Sequence, residues 1–361
     1  MKTIPVRLKI DPYDIVVGNG ILSKLGGRLK SLDIGTNAVI ITNPAVKKHH
    51  GKVLISGLER DGFSVKVLEV PAGERSKSAK SAFRLMEQIA RYDQLKKIFI
   101  IAFGGGVVGD LAGYVAAAYK RGVPYVQVPT TLLAQVDSAI GGKVAVDLPF
   151  GKNLAGAFYQ PKVVWSDTAT LTTLPQRQIR NGLAEIVKYG VIADKEFFQY
   201  VAGNYKKLLD CDPRALEHVV WHSSRIKRDV VVADERETKG LRSILNFGHT
   251  IGHAIEAAGK YNHYHHGEAI ALGMRVAADI SCQKKMCPKH DVESLNEILS
   301  RIGLPQRIEG VKTSDILRFM RHDKKFLAGR NRFVLMARLG KVRLVEGVSP
   351  DMIHRAVRSC Q

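Results

Sequence analysis

Four imidazoles and an acid crowd one stretch of this chain: Asn246-Phe-Gly-His249-Thr-Ile-Gly-His253-Ala, then His265-His266-Gly-Glu268. His249 and His253 stand four residues apart, so a helix through them stacks both rings on one face. Neutral imidazole is the commonest nitrogen ligand for zinc and the usual proton carrier near neutral pH, so such a face suits either a metal or a proton. A further ligand candidate lies upstream in Gly182-Leu-Ala-Glu185-Ile-Val-Lys188-Tyr-Gly190. There Glu185 and Lys188 share a helix face among small and apolar residues, and a buried carboxylate needs a cation or a metal beside it. A glutamate with two histidines and an open position is a catalytic zinc arrangement, although HExxH is absent because Thr250 follows His249. Spacing alone leaves the choice among His249, His253, His265 and His266 open.

Glycine-bearing turns offer places for anions. After a strand ending at Phe103 come Gly104-Gly-Gly-Val-Val-Gly109-Asp110 and then a helix, a formal fit to GxGxxG. Backbone N–H groups at such a turn approach a pyrophosphate and the helix dipole favours its charge, but a tight, close-packed turn uses the same residues. The loop follows a late strand, and no acidic residue lies about 20 positions further on to hold a ribose, as an ordinary Rossmann motif requires. Pro71-Ala-Gly-Glu74-Arg-Ser-Lys77 is a candidate for the adenosine end. Asp137, Gly141-Gly-Lys143 and Gly151-Lys152-Asn153 offer charges and an amide in loops, suited to phosphate, carboxylate and hydroxyl groups.

The elements that carry these residues fall into two halves. Strand candidates Val6–Ile10, Ile15–Val17, Ala38–Thr42, Ser64–Val70, Ile98–Phe103 and Tyr125–Val128 alternate with helical patterns at Ser76–Arg91 and Asp110–Tyr119, the rhythm of a mostly parallel α/β sheet. From Pro175 the pattern turns to long amphipathic segments: Arg177–Val191, Arg214–Val232, Ile244–Ala258, Glu268–Lys285 and Val292–Arg301. A hairpin at Phe333–Val345 and a closing helix at Pro350–Ser359 follow. The expected domains are therefore an α/β domain over 1–174 and a mainly helical one over 175–361.

Composition narrows the class. The chain has 361 residues, 45% apolar and 25% charged, enough for one large or two ordinary globular domains. Four cysteines without CxxC pairing read as free thiols of a reducing compartment. The start interrupts its apolar residues with charges, and no apolar run approaches bilayer length, so the expectation is a cytoplasmic chain without membrane partners. Lys and Arg outnumber Asp and Glu 55 to 34, a net charge of +21, which suits anionic partners. The densest basic stretches, Lys47–Lys52 and Arg318–Arg332, match no nucleic-acid reader motif, so a small anionic substrate is expected and nucleic acid is not.

Taken in order, Gly104-Gly-Gly-Val-Val-Gly-Asp110, Arg121-Gly-Val, Gln127-Val-Pro-Thr-Thr-Leu-Leu-Ala-Gln-Val-Asp-Ser138, Gly141-Gly-Lys143, Gly151-Lys-Asn153, Gly182-Leu-Ala-Glu-Ile-Val-Lys188, Asp234-Glu-Arg-Glu237, Leu241-Arg-Ser-Ile-Leu-Asn-Phe-Gly-His-Thr-Ile-Gly-His253 and His266-Gly-Glu268 closely resemble the 3-dehydroquinate synthase family. The resemblance implies a Rossmann-like NAD-binding α/β domain, a helical domain binding metal and substrate, an active site between them, one divalent metal (zinc or cobalt) and a homodimer. It also implies the reaction: 3-deoxy-D-arabino-heptulosonate 7-phosphate becomes 3-dehydroquinate and phosphate, the second step of the shikimate route to chorismate and aromatic amino acids. In that family NAD is regenerated. Hydride leaves C5, the ketone acidifies the neighbouring proton, phosphate is eliminated, hydride returns, and the opened ring closes by an aldol step.

Carried over residue by residue, the resemblance makes Glu185, His249 and His266 the metal ligands. His253 and Glu237 become proton-handling residues, with Lys188 beside them in catalysis. Substrate contacts fall to Asp137, Lys143, Asn153, Lys188, Lys227, Arg242, Asn246 and Arg332, with Arg121 of the partner subunit. NAD contacts fall to Thr42, Asn43, Glu74, Arg75, Ser76, Lys77, Gly105, Gly106, Val107, Asp110, Thr130, Thr131, Lys143, Lys152, Thr170, Leu171, Thr172, Thr173 and Asn181. Three departures stand out: Val144 where Thr is usual, Gln178 where Glu is common, and one extra residue in Glu237-Thr-Lys-Gly240. The rival classes are a metal-dependent polyol or alcohol dehydrogenase, other sugar-phosphate cyclases, and a basic nucleic-acid binder. The cations favour a phosphorylated, carboxylated substrate: a dehydrogenase would not need so many of them, and the other cyclases lack the substrate carboxylate, so Arg242 and Asn246 argue against them.

Overall fold

A computed structural model of the chain describes residues 1–321 and 331–361. They form two compact units, Met1–Pro175 with Leu216–Arg236, and Gln176–Ala215 with Glu237–Gln361. The central residues of the basic stretch Arg318–Arg332, 322–330, lie outside the described residues.

The first unit is a layered α/β body. Its strands are β1 (Lys2–Val6), β2 (Tyr13–Gly18), β3 (Asn37–Thr42), β4 (Ser64–Glu69), β5 (Ile98–Gly104), β6 (Tyr125–Pro129), β7 (Lys143–Leu148), β8 (Gly151–Phe158) and β9 (Val163–Asp167). Seven of them make one sheet in the order β1-β2-β9-β6-β5-β3-β4, parallel throughout except where β1 meets β2. β5, β6 and β9 are buried along their whole length, so they read as unbroken apolar runs, as strands covered on both faces must. Helices α1 (Leu25–Leu32), α2 (Pro44–Val46), α3 (Lys52–Arg60), α4 (Ala79–Asp93) and α5 (Gly106–Ala118) belong to this unit. The period of two along β5 separates the cores: Ile98, Ile100 and Ala102 pack with Leu85 and Ile89 of α4 and Leu111 and Val115 of α5. Phe99, Ile101 and Phe103 pack instead with Leu25, Leu29, Leu54, Leu58 and Trp165.

Strand order reverses between β3 and β5. The chain runs from β3 outward to β4, then returns to lay β5 on the other side of β3. Their adjacent C-terminal ends, Thr42 and Gly104, therefore flank the crevice where open α/β sheets take their ligands.

Two strand expectations change. The strand expected at Val6–Ile10 is β1, ending at Val6, because Val6 pairs with Tyr13 and residues 7–12 must make the turn. The Lys143 and Gly151-Lys152-Asn153 segments, expected as loops, are the antiparallel pair β7–β8. Val144 explains itself here: it is buried, and a Cβ on Gly113 of α5 would lie 2.3 Å from its Cγ1, so an apolar residue fills that contact.

The second unit is mainly helical, with α6 (Gln176–Ala193), α7 (Lys195–Leu209), α9 (His249–Ala258), α10 (His266–Gln283), α11 (Lys289–Arg301), α12 (Thr313–Arg321), α13 (Pro350–Ser359) and the hairpin β10 (Arg332–Arg338) with β11 (Lys341–Glu346). Between α7 and α9 runs α8 (Pro213–Ala233), whose residues from Leu216 belong to the first unit. α6 is buried from Asn181 to Ile192 and α10 from Ala269 to Ala278, which places both at the centre of the helical core. No helix among the described residues is long and apolar enough to cross a membrane. All four cysteines are free.

The helix expected over Ile244–Ala258 is broken. A 3-10 turn covers Leu241–Asn246, Gly248 adopts φ 78°, and α9 begins at His249. Only glycine takes that left-handed conformation without strain, and a Cβ there would also lie 2.8 Å from the Met274 nitrogen. Across from it, a Cβ on Gly273 would stand 2.0 Å from the Gly248 carbonyl oxygen. α9 and α10 thus meet backbone to backbone. Overpacking that contact with Gly273→Ala should cost about 1–3 kcal/mol, lowering Tm by roughly 2 °C or more. Calorimetry giving an unchanged Tm would contradict the close approach.

Candidate functional site

In the second unit, three chain segments deliver one cluster. Glu185 projects from the middle of α6, His249 is the first residue of α9, and His266 the first of α10. Glu185 Oε1 lies 3.6 Å from Nε2 of His249 and 3.6 Å from Nε2 of His266. The outward nitrogens are also engaged: His249 Nδ1 is 3.1 Å from the Phe247 carbonyl oxygen, and His266 Nδ1 is 3.4 Å from Glu256 Oε2. Each ring is thereby turned so that Nε2 faces the carboxylate. Ligands bonded at about 2.0–2.2 Å to a tetrahedral zinc stand about 3.4 Å apart. The separations and the donor set therefore fit a divalent metal with one or more positions open to substrate.

The electrostatics agree with that use. The Glu185 side chain is fully buried, and its other oxygen ion-pairs with the buried ammonium of Lys188. Burial, and next the Lys188 charge, press the basicity of His249 well below its ordinary value, which leaves it neutral, the form a metal takes. Burial pushes His266 the same way, but its two flanking carboxylates, Glu185 and Glu256, outweigh it and hold the imidazolium up to about 10. Proton and metal are alternatives at that Nε2.

The other histidines separate. His253, one turn along α9, is exposed, with its ring centroid 5.2 Å from that of His249 and 6.0 Å from that of His266. It forms a second group with Glu256 and His266, whose ligand-type atoms lie within 4.8 Å of one another. His265 caps α10, its N–H donating to Glu268, which Arg177 grips at 2.6 and 2.8 Å. Asn181 accepts a hydrogen bond from the Gly267 N–H and so ties α6 to the first turn of α10. Arg242 is buried and 3.3 Å from Glu237; Asn246 ends the 3-10 turn ahead of α9. Arg332, on β10, pairs at 2.8 Å with Glu346 across the hairpin.

In the first unit the nucleotide candidates gather at the strand reversal. Thr42 ends β3, Asn43 caps α2 through the Val46 N–H, and Gly105 precedes α5, which opens with Gly106 and Val107 and carries Asp110 as its fifth residue. A Cβ on Gly105 would lie 2.9 Å from Thr131 Cγ2, so the glycine loop is closely packed as well as open to an anion. Thr130 donates its N–H to the Gly104 carbonyl. Thr170, Leu171, Thr172 and Thr173 form a 3-10 turn after β9, with Leu171 in the core and Thr173 Oγ1 2.8 Å from His50. Arg75 is exposed, and Ser76 donates to the Pro71 carbonyl.

Beside them, Lys77 Nζ donates to Asp110 at 2.9 Å and to Asn153 at 2.5 Å, with Glu74 and Asp147 within 4 Å. Burial alone would lower the Lys77 ammonium; three carboxylates raise it, while burial keeps the Asp110 carboxyl above its usual range. Lys152 pairs with Glu74 at 3.3 Å. Lys227 reaches from α8 to Asp137, donating to its carbonyl at 2.6 Å and its carboxylate at 2.7 Å. Lys143 opens β7 and Arg121 ends a 3-10 turn, both exposed. Sequence reasoning missed Glu256 and Asp147. Glu256 had a signal, since it stands seven residues after His249 and three after His253 on one helix face.

Comparisons with known proteins bear on these sites together. The family models described as 3-dehydroquinate synthase N-terminal and C-terminal match residues 67–181 and 182–326. A 3-dehydroquinate synthase of Desulforamulus reducens is 46% identical over 349 residues, 96% of this chain and 97% of the relative. A solved 2-deoxy-scyllo-inosose synthase, complexed with carbaglucose-6-phosphate, NAD+ and Co2+, superposes with TM-score 0.91 at 28% identity, covering all of both chains. The 2-epi-5-epi-valiolone synthase ValA of Streptomyces hygroscopicus, with NAD+ and Zn2+ bound, gives TM-score 0.89 at 24% identity over 98% of each chain, a likeness of fold.

The cluster geometry predicts that Glu185→Ala or His249→Ala removes bound zinc, because a three-ligand site that loses one ligand chelates poorly. Metal analysis of purified variants checks this. Full occupancy in both would assign the metal elsewhere.

Proposed function

Since the chain belongs to the 3-dehydroquinate synthase family, we propose that its two residue clusters divide that family's reaction between a nucleotide site on residues 1–174 and a metal site on 175–361. The reaction is the conversion of 3-deoxy-D-arabino-heptulosonate 7-phosphate to 3-dehydroquinate and phosphate, in the shikimate pathway to chorismate and aromatic amino acids. NAD and a divalent metal are its cofactors. The observation that carries the reading is the convergence of Glu185 Oε1 with Nε2 of His249 and His266 beside the buried cation of Lys188.

When bound, the metal supplies a Lewis acid for substrate oxygens and NAD accepts and returns a hydride. The chain does the rest by holding anions and moving protons. Lys188, Arg242 and Asn246, and in the first unit Asp137, Lys143, Asn153 and Lys227, with Arg332 and Arg121 of the partner subunit, are the groups that orient phosphate, carboxylate and hydroxyls. The guanidinium of Arg242 suits a planar carboxylate, which separates this substrate from the uncarboxylated sugar phosphates of other cyclases. His253 takes the substrate proton at its imidazole, and Glu237, beside Arg242, is a second acceptor. The β5–α5 turn offers backbone N–H groups to the NAD pyrophosphate, with Thr42, Asn43, Glu74–Lys77, Lys152 and Thr170–Thr173 around it. The enzyme works in the cytoplasm as a homodimer, loaded with zinc or cobalt.

Incubation with the heptulosonate phosphate, NAD and zinc should release phosphate without net NADH, and omitting NAD or adding a chelator should stop release. Stoichiometric NADH accumulation would instead mark a dehydrogenase. His253→Ala should keep its metal while turnover falls by on the order of a hundredfold, as for loss of a general base; loss of metal in that variant would show that His253 is a ligand.

A further inference from the structure

We propose that Glu256 is a positioning residue that holds His266 with Nε2 turned to Glu185 and so sets the geometry of the metal centre, an inference that rests on the metal reading above. Imidazole carries its nitrogens on opposite sides of the ring, so capture of one aims the other. Glu256 Oε2 lies 3.4 Å from His266 Nδ1, while Nε2 of the same ring lies 3.6 Å from Glu185 Oε1. His249 gains the same orientation from the Phe247 carbonyl, which the Gly248 turn at the head of α9 brings within 3.1 Å. His266 has no such carbonyl in reach of Nδ1 among its described hydrogen bonds; its partner there is a side chain from the neighbouring helix.

That side chain is well placed for the task. Glu256 is buried, and it stands on the α9 face that carries His249 and His253. α9 and α10 touch through glycine, which fixes the distance the carboxylate must span. A carboxylate on Nδ1–H also increases electron donation from Nε2, so Glu256 strengthens the ligand as well as aiming it. His253 belongs to the same group, with its ligand-type atom within 4.8 Å of those of Glu256 and His266.

The test is Co2+ titration of the metal-stripped full chain, read by the visible absorption of bound cobalt and by chelator competition, for wild type, Glu256→Gln, Glu256→Ala and Glu185→Gln. Thermal unfolding of each metal-free form shows that it is folded. Weakening of cobalt affinity by about 10-fold in Glu256→Gln and up to about 100-fold in Glu256→Ala, with a changed spectrum, is the expected result. Wild-type affinity and spectrum in both Glu256 variants, with Glu185→Gln impaired, would overturn the positioning role and leave the metal centre standing. Equal binding by wild type and Glu185→Gln would overturn the metal centre, and this role with it. The near-isosteric Glu256→Gln keeps the comparison valid should Glu256→Ala fail to fold.

Discussion

A carboxylate with no exposed surface, at the centre of a helical core, must be compensated, and the second unit is organised around meeting that demand for Glu185. One oxygen takes the ammonium of Lys188 from the next turn of its own helix. The other faces two imidazole nitrogens, each turned inward by a partner on its far side. A lysine alone would make this a structural ion pair. The two inward-facing nitrogens suit the acid to the second use proposed above, as one of three ligands to a divalent metal that would displace the proton Glu185 and Glu256 hold on His266.

That geometry tolerates little slack, and glycine supplies the tolerance. His249 and His266 are the first residues of their helices, so their positions depend on how closely α9 and α10 approach and where each begins. Gly248 and Gly273 permit backbone contact, and Gly267 lets Asn181 bind the head of α10, where a Cβ would lie 2.2 Å from the Asn181 carbonyl oxygen. The first unit uses its glycines similarly, at a crevice that strand order creates: Gly105, just after β5, lies against Thr131. Around that crevice a buried lysine, Lys77, gathers Asp110 and Asn153, so these groups are already fixed in place. Fixed groups need no reorganisation when charge shifts during a reaction.

The sheet was legible because buried parallel strands leave unbroken apolar runs, as in Ile98–Gly104. β7 and β8 were not, since Lys143, Gly151-Lys152-Asn153 and Gly156 carry the residues of turns; pairing between the two strands overrides that local preference. The break ahead of α9 hid behind apolar periodicity that continues through Phe247-Gly248. For the site, spacing placed His249 and His253 on one face but could not rank four histidines. The ranking came from resemblance, and the fold adds a physical basis, with His249 buried and aimed at Glu185 while His253 is exposed. Asp137 and Lys227 lie 90 residues apart, and only the fold brings them together. Glu256 was legible in its spacing, seven residues after His249 and three after His253, but its partner His266 lies on another helix and only the fold brings the two together.

In the proposed metal centre Glu185, His249 and His266 hold one divalent metal while His253 stands outside its ligand set. Anomalous diffraction from crystals of the zinc- or cobalt-loaded protein tests it directly. One peak is expected, bonded at about 2.0–2.2 Å to Glu185 Oε1 and to Nε2 of His249 and His266. A peak bonded to His253, or one lacking Glu185, would contradict it.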